Sequence, residues 1–229
     1  MGPQNLPVRI GELRGRIARA AAEAGRSAHS ITLLAAAKGH PPGLLDLAAD
    51  CGVSEFGESY LQEGLAKIDA LRNRPLTWHF IGRVQSNKTR AIAAAFAWVH
   101  TVDRLRIAER LSAQRPDFLP PLNVCLEVNI AGEASKGGIA PQTAAVLAAA
   151  VEKLPRLALR GLMCIPPEES EVARQRSWFA RLRALRDTLD AGGSRLDTLS
   201  MGMSGDFEAA ILEGATIVRI GTALFGPRR

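Results

Sequence analysis

From Leu6 to Arg26, apolar residues recur at helical spacing: Val8, Ile10, Leu13, Ile17, Ala20 and Ala21. The pattern predicts an amphipathic opening helix. The period then changes. Ile31–Ala37 is a run of apolar or small residues without a charge, followed by Lys38, Gly39, His40 and the pair Pro41-Pro42. A short uninterrupted run closed by such punctuation predicts a strand buried on both faces, as in parallel sheets.

The same alternation continues to the end of the chain. Leu44–Cys51 predicts a helix closed by Gly52, Glu55–Gly57 a short strand and Tyr60–Leu71 a helix. Thr77–Gly82 and Trp98–Val102 predict strands separated by a helix over Asn87–Phe96, with Asp103 placed to cap the helix Arg104–Ser112. Leu122–Ile130 is a fifth strand, rich in apolar and β-branched residues, followed by a glycine-bearing loop and the helix Pro141–Lys153. Leu157–Ile165, Asp197–Met201 and Thr216–Ile220 complete the strands, with helices over Glu168–Leu189 and Phe207–Gly214. Gly221–Gly226 and a basic tail end the chain. Strands alternating with helices imply parallel strands joined by crossovers. At 229 residues, eight such units predict an α/β fold. The expectation is a single (β/α)8 TIM barrel, one domain over 1–229 with its barrel over about 31–226. A doubly wound open sheet is the alternative.

Composition narrows the function. A hydrophobic fraction of 47% and a charged fraction of 23% are ordinary for a globular chain. The net charge of +6 comes from arginine, which is scattered and mixed with acids along helical stretches such as Arg174–Arg186. With aromatic residues at 5%, little is available to stack bases, so a solvated basic surface is expected and nucleic acid is not. Cys51, Cys125 and Cys164 have no CxxC spacing and suggest free thiols in a reducing compartment. With no signal peptide or membrane span evident, a cytoplasmic protein is expected.

In a barrel, the strand ends share one mouth, which would gather Lys38, Glu58, Gly82, Thr101, Asn129, Met163, Met201 and Arg219. An amine at the end of a buried strand is partly desolvated, which suits a nucleophile toward a carbonyl. The other reading is a strand-end lysine reaching out to solvent. Ser200-Met-Gly-Met203-Ser204-Gly-Asp206 and Arg219-Ile-Gly221-Thr222 both run from a strand through glycine into a helix. Backbone N–H groups there suit a phosphate. Each has a purely structural alternative: Ser204 as a helix cap, Gly221-Thr222 as a closing turn. Asp206 argues mildly against the first. A lysine on strand one opposite two anion cradles fits a ligand with an aldehyde and a phosphate, and pyridoxal 5′-phosphate is one.

Lys38 after a small-residue strand is followed in order by Phe56-Gly57-Glu58, Trp78-His79-Phe80-Ile81-Gly82, Gln85-Ser86-Asn87-Lys88 and Val128-Asn129-Ile130. Gly161-Leu162-Met163, Leu199–Ser204 and Val218–Thr222 complete the series. Together they resemble the YggS/PROSC family of pyridoxal phosphate homeostasis proteins. The resemblance implies a barrel of the alanine racemase N-terminal type, with the cofactor held as a Schiff base on Lys38. It also implies phosphate contacts from Ser200, Ser204, Gly221 and Thr222, and Arg219 facing the pyridine nitrogen. His79, Asn87 and Met203 are further candidate contacts; a core histidine, a helix start and a core methionine are the respective alternatives. Ser59 stands where the family usually has asparagine, and Ala37 and Gly39 flank Lys38 in place of serine and threonine.

A guanidinium is essentially never deprotonated, so Arg219 beside the ring nitrogen would leave it unprotonated and a poor electron sink. Tyr60 is the only tyrosine available as a second base. The expected protein is a monomeric carrier with little or no turnover, in transient contact with PLP-dependent apoenzymes. A PLP-dependent amino-acid racemase or lyase is the alternative, and a cofactor-free, aldolase-like barrel a further one. His40 and His100 have no partners at metal spacing, and no metal is expected.

Overall fold

The computed structural model describes residues 5–227. Residues 1–4 and the basic tail, Arg228-Arg229, lie outside them. Eight parallel strands close into a barrel in chain order. They are β1 (Thr32–Ala36), β2 (Glu55–Glu58), β3 (Thr77–Phe80), β4 (Trp98–Val102), β5 (Leu122–Glu127), β6 (Leu157–Met163), β7 (Thr198–Ser200) and β8 (Ile217–Ile220). The crossovers are α2 (Pro42–Asp50), α3 (Leu61–Ala70), α4 (Thr89–Ala95), α5 (Leu105–Gln114), α6 (Ala144–Val151), α7 (Val172–Ala191) and α8 (Phe207–Leu212), with α9 (Thr222–Phe225) after β8. The closed barrel replaces the alternative of an open sheet.

The opening helix, α1 (Leu6–Glu23), buries Leu6, Ile10, Leu13, Ile17, Ala20 and Ala21 against α2, α8 and α9. Val8 falls on its solvent face, off the buried stripe. Arg16 adds a bidentate pair to Glu208 of α8 at 2.8 Å, and Arg26 donates to Ala215 O at 2.8 Å. The helix thus clamps the outside of the wall where the last strand meets the first.

That closure sets which residues become neighbours. β8 pairs with β1 in the register Leu34↔Arg219 and Ala35↔Ile220, and with β7 at Ser200↔Ile217. Two glycines allow close approach. A Cβ on Gly161 of β6 would lie 1.8 Å from Thr198 O, and one on Gly82 would lie 2.0 Å from Ser59 O at the mouth.

Element ends differ from the expectation where loops take over. β5 stops at Glu127, beyond which Val128 makes only an isolated bridge to Ile139. α4 and α6 are each preceded by a 3-10 turn, Ser86–Lys88 and Pro141–Thr143. Asp103 does not cap α5. The helix starts after Arg104, and the Asp103 carboxylate instead accepts from the Arg104 guanidinium at 2.8 Å.

Candidate functional site

Lys38 sits two residues past the end of β1, half-buried, and its loop is gripped from α3 on both sides. Lys67 Nζ donates to Ala37 O at 2.8 Å, and the Gly39 N–H donates to Glu63 Oε2 at 3.1 Å. Lys67 is itself buried and ion-paired with the buried Glu58, while Glu63 lies 3.4 Å away on the other side. Burial pushes the Glu58 carboxyl up against the pull of Lys67; the Gly39 N–H bond draws that of Glu63 down. The Lys38 amine lies over the Tyr60 ring, 4.6 Å from its centroid. Sequence reading missed Lys67 and Glu63. A signal existed, since Leu61, Gly64 and Lys67 share the buried stripe of α3 at a spacing of three.

The two glycine-bearing turns meet. Ser204 Oγ accepts from the Ala223 N–H at 3.2 Å, joining the loop after β7 to the first turn of α9. Ser204 is therefore not the cap of α8, whose N-terminal boundary residue is Asp206. Asp206 turns back to accept from the Met203 N–H at 2.6 Å, and burial pushes its carboxyl up from the ordinary aspartate range. Gly202 holds the loop with φ +94°, a conformation that favours glycine. A Cβ on Gly221 would lie 3.5 Å from Ala36 of β1, and the His40 ring is 4.7 Å from that of Phe225. The loop carrying Lys38 is thus packed against the turn carrying Gly221 and Thr222. Lys38, Ser204, Gly221 and Thr222 share the seam β7–β8–β1, with Met203 and Thr222 exposed on it.

The other predicted residues divide between rim and interior. Asn87 is exposed in the turn after β3, on the next strand but one from β1. Met201 is fully buried core. Asn129 bonds both ways with its own loop, donating to Glu133 O at 2.8 Å and accepting from Glu133 N at 3.0 Å.

Inside the barrel, Arg219 is buried and donates from Nη1 to Ser200 O and Ser200 Oγ at 2.7 and 2.8 Å, and from Nη2 to Cys164 O at 3.0 Å. Ser200 Oγ lies 2.8 Å from His100 Nδ1; His100 Nε2 lies 2.9 Å from His79 Nδ1; and His79 Nε2 lies 2.6 Å from Glu55 Oε2. Burial lowers the pKa of both histidines, that of His100 well below the ordinary value, and it also lowers that of Arg219. His79 has both ring nitrogens committed to protein partners, and Ser200 faces the interior with no exposed surface. Burial also pushes the Cys125 and Cys164 thiols up to about 12, so they are inert core groups.

The donor set suits a ligand that is electrophilic at one end and anionic at another. The Lys38 amine makes no ion pair among the described residues, the turns beside it expose small residues and a hydroxyl, and an arginine backs the seam. Three of the five guanidinium N–H groups of Arg219 hold protein oxygens, leaving two for a further acceptor.

Fold and site together define a (β/α)8 barrel whose mouth gathers an amine, two joined glycine-bearing turns and a buried guanidinium. Residues 8–229 match the family described as alanine racemase, N-terminal domain. A Pseudomonas aeruginosa protein named pyridoxal phosphate homeostasis protein is 58% identical over 219 residues, covering 96% of this chain and 94% of its own. An Escherichia coli protein of the same name is 50% identical over 222 residues, covering 96% and 95%. Among solved structures, PipY of Synechococcus elongatus with PLP bound is 33% identical, with a TM-score of 0.85 over 96% of this chain and 100% of that one. The chain belongs to the alanine racemase N-terminal domain family and, among its members, to the YggS/PROSC family of pyridoxal phosphate homeostasis proteins.

Proposed function

We propose that this protein binds pyridoxal 5′-phosphate at the β7–β8–β1 seam and serves cofactor homeostasis as a carrier with little or no turnover. The observation that carries the reading is the packing of the Lys38 loop against two turns already hydrogen-bonded to each other. The names of the Pseudomonas and Escherichia relatives and the PLP-bound PipY structure support it. When bound, the cofactor supplies an aldehyde that condenses reversibly with an amine, and a phosphate that needs a cradle.

Lys38 provides that amine, on a loop that Lys67 and Glu63 hold still. Ser204, Gly221 and Thr222 would hold the phosphate, with backbone N–H groups as donors. Met203 and Asn87 would line the approach. Arg219 would face the ring nitrogen; a guanidinium has no proton to lend there, which leaves the ring a weak electron sink. The sole tyrosine lies against the Lys38 amine itself, so this chain offers no separate tyrosine as a second base. A cytoplasmic monomer that meets apoenzymes transiently completes the proposal. Three free cysteines, and the lack of a membrane-crossing helix among the described residues, agree with that setting.

The test is an absorption spectrum of the protein reconstituted with pyridoxal phosphate, before and after borohydride. A band that borohydride bleaches, with the label on Lys38 and both lost in Lys38→Ala, is expected. A wild-type protein that takes up no cofactor would sink the reading. Exchange of an amino-acid α-proton in heavy water no faster than with free cofactor is expected for a carrier; faster exchange would favour the racemase or lyase reading.

A further inference from the structure

Two imidazoles in series at the centre of a barrel form a chain whose direction can be worked out. Each neutral imidazole carries one N–H and one acceptor nitrogen. At the outer end, a Glu55 carboxylate can only accept, so the proton in the 2.6 Å contact belongs to His79 Nε2. His79 Nδ1 is then an acceptor, so the proton in the 2.9 Å contact is on His100 Nε2. His100 Nδ1 becomes an acceptor in turn, and the 2.8 Å contact with Ser200 needs the serine's own hydroxyl proton. At the other end Arg219 can only donate, and Ser200 Oγ accepts from it at 2.8 Å. No junction is left with two donors or two acceptors. The opposite polarity would set an imidazole lone pair against the carboxylate. A doubly protonated imidazole would place a charge where burial opposes it.

We propose that Glu55, His79 and His100 are positioning residues for Arg219, forming a one-way hydrogen-bond chain that fixes both imidazoles as Nε2–H tautomers and turns the Ser200 hydroxyl proton away from the mouth. The chain draws on β2, β3, β4, β7 and β8 and crosses the barrel interior between His100 and Ser200. Its carboxylate end reaches a cavity of about 570 Å3 lined by Arg14, His29, Thr32 and Ser54 near the start of the strands, opposite the mouth. Two consequences follow for the site. Ser200 has no proton to offer an anion, so the cradle consists of Ser204 and the backbone N–H groups, in place of the Ser200 contact that the family resemblance implies. The guanidinium is oriented by a lone pair whose direction is set on the far side of the barrel. The chain's polarity is independent of the proposed cofactor, whereas its effect on the ligand rests on that reading.

The direct test is nitrogen-15 NMR of the full chain labelled at histidine, with no cofactor. His79 and His100 are expected to show a protonated Nε2 and an unprotonated Nδ1 at neutral pH. A protonated Nδ1 on either ring, alone or in an imidazolium, would overturn the proposal. The near-isosteric Glu55→Gln leaves an amide that can donate or accept, so mixed tautomers are expected for both rings. Unchanged tautomers in that variant would also overturn it. In reconstituted protein, Glu55→Gln is expected to displace the cofactor absorption maximum and weaken binding about tenfold, the scale of a hydrogen bond to a charged group. His100→Asn, which keeps an acceptor near the Nδ1 position, should restore more of the wild-type maximum than His100→Ala does. If no cofactor binds at all, the NMR result still decides the chain.

Discussion

Around Lys38 the protein works with full charges, while beneath Arg219 it works with neutral imidazoles. The rim group of Lys67, Glu58 and Glu63 fixes a backbone: its bonds end on Ala37 O and the Gly39 N–H, and the side chain between them is left to reach out. The interior chain fixes a side chain: from the Glu55 carboxylate its links run through two rings and a hydroxyl, and the last one orients a guanidinium. A loop needs anchors on either side and tolerates charge if the ions are paired. A guanidinium needs a directional acceptor, and in a closed core a neutral acceptor avoids the desolvation of a second ion. The two systems should therefore fail in different ways.

The largest effect is expected at the rim. Lys67→Met strands the fully buried Glu58 without its partner and should lower unfolding free energy by about 3–5 kcal/mol, read by urea titration. Adding Glu58→Gln should recover more than half of that. If the double variant is no better than the single, charge pairing is not what the rim supplies. The interior chain should show instead as an acid limb. Both imidazoles are held neutral when folded and regain an ordinary pKa of about 6.5 on unfolding, so the unfolded chain binds more protons below that pH. Their contribution is complete above about pH 6.5 and is lost as pH falls further, by up to about 1.4 kcal/mol per pH unit for each ring. Thermal unfolding across that range should show the slope, and His100→Asn should reduce it by one ring's share. An equal slope in the variant would place the acid sensitivity elsewhere. The smallest effect is Ser204→Ala, which removes one bond between the two turns and should cost about 1 kcal/mol of stability. Its loss of phosphate affinity should exceed its loss of stability if the turns are a cradle.

The barrel and its seam were largely readable along the chain. Each strand is a short apolar run with its own stop, as Ile31–Ala37 is stopped by Gly39 and Pro41, and local punctuation of that kind needs no distant partner. Lys38, Ser204, Gly221 and Thr222 were legible for the same reason: each lies where an apolar run gives way to glycine or to a polar residue. Lys67 was harder to see, because a lysine on a helix reads as solvated unless the carboxylate that buries with it is known. Asp103 misled, since an acid before a helix reads as a cap, while Arg104 was free to claim its carboxylate.

By itself, the order of apolar runs and stops determined that this chain makes eight parallel strands, and which residues stand at their ends. Closing the barrel decided the rest. Glu55, His79, His100, Ser200 and Arg219 come from five different strands, and no spacing along the chain reveals that their polar atoms meet. A side chain's period of two says only which face it takes. Its partner and the side of its proton depend on what lies across a core that forms only when β8 meets β1.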